Sequence, residues 1–314
     1  MNDRILQLES FPADVRNCVL TIGNFDGVHV GHQRIIEIAR PLAANNGPVV
    51  ALTFNPPPDL VLRPADAPLR LTPHEVKCRL LIEAGCDYVV TEAASQEILS
   101  LTPDEFAERI IVSAFGPRHM VEGPNFFFGK KRAGNVETLR EIGQRNGFEV
   151  HVADPIRMEL SDDETLVSST RIRGLVGRGQ VAEATRCMGR PFTLYGKVIR
   201  GRGLGRKLEY PTANIQPTGQ VIPADGVYAG YAEIAGKRRT AAISVGTAPT
   251  FNSETEGQRL VEAHLLSTAE DLYGQSIAVA FVERLREQRR YDNPEALKTQ
   301  MARDVEQVRM IVPE

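Results

Sequence analysis

Two histidines, His29 and His32, stand three residues apart in the run Gly23-Asn24-Phe25-Asp26-Gly27-Val28-His29-Val30-Gly31-His32. An apolar, strand-like stretch precedes the run, and an amphipathic stretch over 33–44 follows it. Where a strand gives way to a helix, glycine lets the backbone approach a ligand and the helix start presents unpaired N–H groups. Imidazoles add directional donors. That combination suits a polyphosphate, and it makes His29 and His32 the candidate reacting groups. Gly23, Phe25, Asp26, Gly27 and Gly31 are then candidate phosphate contacts. Taken as bare residue types, the two histidines also read as turn or capping residues; the flanking glycines favour the ligand.

Three further groupings carry chemistry. Ser168-Ser169-Thr170-Arg171-Ile172-Arg173 sets hydroxyls and guanidiniums at a helix start, where they suit phosphate oxygens; the same run also reads as an N-cap followed by a solvated face. Gly201-Arg202-Gly203-Leu204-Gly205-Arg206-Lys207 is a basic, glycine-rich loop whose amides can wrap phosphates, or else a plain hairpin loop. It runs into Tyr210-Pro211-Thr212-Ala213-Asn214. Thr212 and Asn214 are two apart and share one face of an extended segment. Such an oxygen pair suits Mg²⁺, which needs few protein ligands when phosphates and water supply the rest. Finally, Glu262 interrupts an apolar strand-like run, in Val261-Glu262-Ala263-His264. It is either an outward strand residue or a general base. Glu262 and His264 have equal parity and share a face.

The elements that must position these groups differ between the two halves. In the first, short apolar runs near 18–22, 48–54, 87–91, 118–122 and 148–152 alternate with amphipathic stretches near 32–45, 73–84, 103–115 and 135–146. Leu71-Thr72-Pro73-His74-Glu75 and Leu101-Thr102-Pro103-Asp104-Glu105 each give a Thr cap, Pro at the first helical position and Glu at the third. This alternation predicts a parallel, doubly wound sheet with its ligand beyond the carboxyl ends of the strands. The stretch over 168–188 reads as helical, and Gly189-Arg190-Pro191 ends it. That sets a division into residues 1–188 and 189–314. Past it, short β-rich runs at 192–199, 227–234, 240–245, 260–265 and 277–285 predict an antiparallel barrel. Asn293-Pro294-Glu295 starts a closing helix to about residue 311.

Composition fits two ordinary globular domains. The chain has 314 residues, 42% hydrophobic and 25% charged, with a formal net charge of −3. That mild charge argues against nucleic acid or a membrane as partner. No apolar run approaches the ~20 residues of a membrane span, and the start Met1-Asn2-Asp3-Arg4 lacks the apolar core of a signal peptide. Cys18, Cys78, Cys86 and Cys187 show no CxxC spacing and are expected as reduced thiols in a cytoplasmic protein.

Over nearly its whole length the chain resembles the prokaryotic bifunctional riboflavin kinase/FAD synthetase family. The resemblance rests on the glycine-histidine run, Ser168 to Arg173, the loop Gly201 to Arg206 with Pro211-Thr212-Ala213-Asn214, and Gly226-Val227-Tyr228. It extends through Pro249-Thr250-Phe251, Val261-Glu262-Ala263-His264-Leu265 and Asp271-Leu272-Tyr273-Gly274, all in the family's order. It implies an α/β Rossmann-like nucleotidyltransferase domain followed by a riboflavin kinase β-barrel with a C-terminal helix. In the first, FMN phosphate would attack the α-phosphorus of ATP to give FAD. His29 and His32 would steady the charge, and Ser169, Thr170 and Arg173 would hold the phosphates. In the second, Glu262 would take the proton of the ribityl hydroxyl of riboflavin as it attacks a second ATP. Thr212 and Asn214 would help hold Mg²⁺, and Gly201, Gly203, Gly205 and Arg206 would cover the phosphates. Small-molecule substrates are the expected partners, with weak homo-oligomerisation beside them.

The chain departs from the family pattern in three places. Gly123-Pro124-Asn125-Phe126-Phe127-Phe128-Gly129 stands where the family has Gly-x-Asp-Phe-Arg-Phe-Gly. Asn125 thus replaces a carboxylate and Phe127 a guanidinium; loss of both members of an ion pair can be neutral. Asn125 and Phe128 remain weak candidates for flavin contact. Pro57 occupies the place of a histidine, and Glu209 that of a glycine. Two alternatives follow: a riboflavin kinase with an altered first half, and a non-catalytic flavin- or nucleotide-binding regulator.

Overall fold

In the computed structural model the described residues are 2–12, 15–44, 47–161, 164–200, 210–247, 259–266, 272–289, 291 and 293–313. The first half begins with β1 (Ile5–Gln7), β2 (Val19–Ile22), α1 (Val30–Ala43), β3 (Val49–Phe54), α2 (Pro58–Leu62), α3 (His74–Glu83), β4 (Tyr88–Glu92) and α4 (Gln96–Ser100). It continues with α5 (Pro103–Phe106), which runs on as a π-helical segment Ala107–Phe115, then β5 (His119–Glu122), α6 (Val136–Asn146), β6 (Glu149–Val152), β7 (Arg157–Glu159) and β8 (Glu164–Leu166). The second half holds α7 (Ser169–Gly177), α8 (Val181–Met188), β9 (Phe192–Ile199), β10 (Thr212–Pro217), β11 (Gly226–Ile234), β12 (Lys237–Thr247), β13 (Arg259–Leu265), β14 (Ser276–Arg286) and α9 (Pro294–Ile311).

The sheet of the first half has six strands in the order β1-β4-β3-β2-β5-β6, all pairs parallel. Every residue of β2 and β3 is buried, as expected of a sheet covered on both faces. One covering layer is α1 and α3, through Ile35, Ile36, Ala39, Leu81 and Ile82. The other is the 106–115 helix and α6, through Phe106, Ile111, Phe115, Leu139 and Ile142. The sheet is therefore doubly wound. The expected capping box is present at Thr102, with reciprocal bonds to Glu105. β1 is an added edge strand of three residues, too short to show a pattern in sequence.

The second half closes into a barrel in the order β10-β13-β12-β11-β14-β9. Phe192, Tyr228 and Phe281 form an aromatic cluster among its fully buried side chains. The closing helix α9 starts at Asn293, whose side chain accepts from the Ala296 N–H, and packs Val308 against Ala229. Arg286 of β14 makes paired bonds to Asp304 of α9, Nε to Oδ1 at 2.9 Å and Nη2 to Oδ2 at 2.6 Å.

Packing divides the chain elsewhere than at 188/189. One compact unit comprises residues 1–68 and 74–167, the other 69–73 and 168–314. The helices α7 and α8 pack on each other, and α8 packs on β9 and β14 of the barrel, so they belong with the barrel and not with the parallel sheet. Residues 69–73 join it because the buried Gln220 amide donates to the carbonyls of Leu71 and Thr193, each at 2.9 Å, and accepts from the Tyr195 N–H.

Candidate active sites

In the first unit the strand order reverses at β2. The chain lays β3 and β4 to one side and β5 and β6 to the other. Ligands of doubly wound sheets bind at that switch point, beyond the carboxyl ends. The glycine-histidine turn follows β2 there, and Glu122-Gly123 ends β5 there.

The turn has an uncommon backbone. Phe25 (φ 47°), Gly27 (φ 83°) and Val28 (φ 39°) all lie in the left-handed region, which costs a non-glycine residue roughly 1–3 kcal/mol. The surroundings hold it. The side chains of Phe25 and Val28 are buried in the α1-side core, and Gln33 Nε2 donates to the Val28 carbonyl at 2.9 Å. Lys77, buried on α3, donates to the Asn24 carbonyl at 3.0 Å and to Thr53 Oγ1 at 2.8 Å.

The result is a tight pair of imidazoles. His29 is the residue before α1, in extended conformation, and His32 lies in the first turn. Their rings stack with centroids 3.6 Å apart and planes at 20°. Phe25 meets His32 edge-on at 5.3 Å. A Cβ on Gly31 would come within 3.1 Å of the His29 ring, so glycine between the histidines gives the ring its room. The start of a 14-residue helix adds partial positive charge at the same place.

Glu122 went unremarked in sequence, as one more residue at the end of an apolar strand. It is 2% exposed, and its Oε1 accepts the Ile22 N–H at 2.7 Å. Burial pushes its carboxyl well above the usual range, against a smaller downward pull from that N–H. Lys77 was equally hidden, read as part of an amphipathic stretch.

The altered segment behaves in two ways. Asn125 is exposed. Phe128 is 5% exposed, stacks on Phe126 at 5.4 Å and packs against Phe106. The apolar ring gains from that packing. Phe127 is the exposed ring, with the Arg132 guanidinium 4.6 Å from its centroid. A cation thus still neighbours the position where the family has arginine.

In the second unit, Ser168 caps α7, its Oγ accepting the Arg171 N–H at 3.2 Å. Ser169 opens the helix; Ser169 and Arg173 are half-buried and Thr170 is exposed. The capping reading therefore holds for Ser168, while Ser169, Thr170 and Arg173 occupy the first helical positions.

The barrel face is built by register. β10 and β13 pair antiparallel, setting Thr212 opposite His264 and Asn214 opposite Glu262. On the other side of β13, Ser244 of β12 also stands opposite Glu262. Ala213, Ile215, Val261, Ala263 and Leu265 alternate with these residues and are buried in the barrel. Thr212, Asn214, Glu262 and His264 are all half-buried on the other face. By strand parity Glu262 points away from the apolar interior, onto the face it shares with Asn214 and Thr212. His264 Nδ1 lies 2.9 Å from the Pro211 carbonyl, suited to donating to it, and Tyr210 packs edge-on against the ring. Burial lowers the His264 pKa, against a smaller upward effect of that bond. Gln288 Nε2 donates to Ser244 Oγ at 2.7 Å. Ser244 and Gln288 gave no sequence signal. Gly201, Gly203, Gly205, Arg206 and Glu209, like the run 249–252, lie outside the described residues.

Comparison with known proteins matches both halves. Residues 11–171 match the family model for FAD synthetase and residues 188–312 that for riboflavin kinase. Among curated relatives, a bifunctional riboflavin kinase/FMN adenylyltransferase of Pseudomonas fluorescens is 36% identical over 305 residues, 97% of this chain and 96% of that one. The protein of the same description from Escherichia coli K12 is 34% identical over 296 residues, 93% and 92% of the two chains. A crystal structure described as a macrolide-efflux protein from Streptococcus pneumoniae superposes with a TM-score of 0.84 at 30% identity, covering 96% of this chain and 97% of that one.

Proposed function

The chain belongs to the bifunctional riboflavin kinase/FMN adenylyltransferase family and carries both activities on separate domains, and on that premise we propose how its own residues perform the two steps. The kinase step is carried by one observation, the placing of Glu262 opposite Asn214, next to Thr212, on one barrel face. Glu262 accepts the proton of the ribityl hydroxyl as that oxygen bonds to the γ-phosphorus of ATP and ADP departs, giving FMN. Thr212 and Asn214 offer a hydroxyl and an amide oxygen, a hard donor set that fits Mg²⁺ held jointly with phosphates and water. Bound there, Mg²⁺ would supply neutralisation of phosphate charge. His264, held by the Pro211 carbonyl, fixes the start of β10 and so orients Thr212.

In the adenylyl step an oxygen of the FMN phosphate bonds to the α-phosphorus of ATP, and pyrophosphate leaves. His29 and His32, with the amides at the start of α1, donate to the oxygens on which charge builds. The strained turn holds Gly23, Phe25, Asp26, Gly27 and Gly31 close enough for backbone contact with the phosphates. Ser169, Thr170 and Arg173 keep their reading as phosphate ligands, since a helix start, hydroxyls and a guanidinium all favour an anion. Asn125 and Phe128 keep their reading as the flavin-side candidates of the altered segment.

The expected setting is cytoplasmic. No helix among the described residues is long and apolar enough to cross a membrane. All four cysteines are unpaired and buried, and burial pushes the Cys18 and Cys86 thiols up to about 12, so they are inert.

The test is chromatographic separation of flavins after incubation with riboflavin, Mg²⁺ and ATP, with FMN supplied in parallel. FAD from both substrates is expected. FMN accumulating from riboflavin, with supplied FMN unconverted, would refute the adenylyl roles. No conversion of either would refute both.

A further inference from the structure

Away from the His29–His32 turn, the first unit carries a cluster of two imidazoles and a carboxylate at the edge of its sheet. The register of β5 and β6 sets His119 opposite Glu149 and Val121 opposite His151. Glu149 and His151 are two apart on the edge strand and so share a face, and His119 joins them from the neighbouring strand. His119 Nδ1 lies 3.2 Å from His151 Nε2. The Glu149 carboxylate lies 3.7 Å from the first of these atoms and 3.8 Å from the second. The side chains are 16%, 30% and 74% exposed for His119, His151 and Glu149, in that order.

We propose that His119, Glu149 and His151 bind one borderline transition cation of the zinc type, distinct from the Mg²⁺ of phosphoryl transfer. Zn–N bonds of about 2.0–2.1 Å in a tetrahedron place the ligand atoms about 3.3–3.4 Å apart. The observed separations need a change of only a few tenths of an ångström, and the most exposed ligand, Glu149, has most freedom to make it. Two imidazoles with a single carboxylate select zinc, cobalt or nickel over magnesium, which prefers oxygen throughout. Three protein ligands leave a fourth position for water. Beside the cluster a cavity of about 440 Å³, bordered by Asn17, Gly116, Arg118 and Phe148 as well as by His119 and Glu149, gives access to it. It opens near the amino ends of β5 and β6, whereas the His29–His32 turn lies beyond the carboxyl end of β2. Such a cation would tie the edge strand to its neighbour and stabilise the unit in proportion to its free concentration.

Chelator-treated, untagged full-length protein is titrated with Co²⁺ in excess MgCl₂, and visible ligand-field absorption and stoichiometry are recorded. One equivalent is expected, with the spectrum of a low-coordinate nitrogen/oxygen site. His151→Ala should abolish it. Glu149→Gln, at a surface position, should weaken binding by more than the about 10–100-fold typical of outer-shell partners. The metal-free melting temperatures of both variants should match the parent, and Zn²⁺ should raise the parent's alone. Should His151→Ala not fold, the Glu149→Gln titration decides by itself. Absence of Co²⁺ binding would overturn the site, since the cluster would then be a hydrogen-bonded histidine pair. So would binding that Glu149→Gln leaves unchanged, or binding lost on His29→Ala instead.

Discussion

The two halves assemble phosphate chemistry by opposite routes. In the first unit the proposed reacting groups are neighbours in sequence, and the chain bends sharply to bring them together: His29 and His32 stack at 3.6 Å with Val30 and Gly31 between them, after a turn with three left-handed residues. In the second unit Asn214 and Glu262 are far apart in sequence and meet because β10 and β13 pair in one register. A local site can be written as a short motif; a site made by strand pairing depends on the whole barrel closing in register. A one-residue slip of β13 would turn Glu262 inward and bring an apolar neighbour to the face.

If that contrast is sound, the halves should fail independently. The largest effect is expected from Glu262→Gln, which should lower FMN formation by roughly 10²–10⁴-fold, the span for loss of a general base, with FAD formation from supplied FMN unchanged. Loss of both activities would break the comparison. Asp304→Ala comes next. It strands Arg286, whose charge the Asp304 bond stabilises, in a largely buried position. Breaking such a pair costs about 3–5 kcal/mol. On warming, kinase activity should fall at a lower temperature than in the parent.

His29→Ala should lower FAD formation from FMN by roughly 10²–10³-fold, the loss typical of one preorganised donor, and leave FMN formation intact. A comparable fall in the kinase step would show that His29 serves the fold. The smallest effect concerns Glu122. Its native carboxyl holds a proton more tightly than the unfolded chain does. The parent therefore loses stability, relative to a non-ionising residue, as pH rises above the unfolded value of about 4.3, by ~1.4 kcal/mol for each unit of difference. Glu122→Gln keeps an acceptor for the Ile22 N–H. It should match the parent near pH 4 and be the more stable of the two near pH 8 in urea unfolding. A variant weaker at pH 8 would mean that the site uses the ionised carboxylate.

Much of this was legible in the residues. The strands at 19–22 and 49–54 were foreseen because a strand covered on both faces is largely apolar. The Thr102 and Asn293 starts were foreseen because caps are local chemistry. β10 was seen only as an extended run, since its apolar positions are just Ala213 and Ile215. The burial of Phe128 was not legible, because nothing in an aromatic's type says whether it faces core or solvent. The place of α7 and α8 was not legible either: a glycine marks where a helix ends but not which surface the helix covers.

By itself the sequence determined the two fold classes and the family, and supplied the reacting residues proposed above, because periodicity, caps and short motifs are set by the backbone's local geometry. Only the tertiary structure decided that Glu262 faces outward beside Asn214, that Lys77 and Thr53 hold the turn at Asn24, and that Glu122 is a buried acid. It also decided that His119, Glu149 and His151 converge at the edge of the sheet. Each of those depends on which strand or helix lies next to which, and that is fixed by closing the core rather than by any residue's neighbours along the chain.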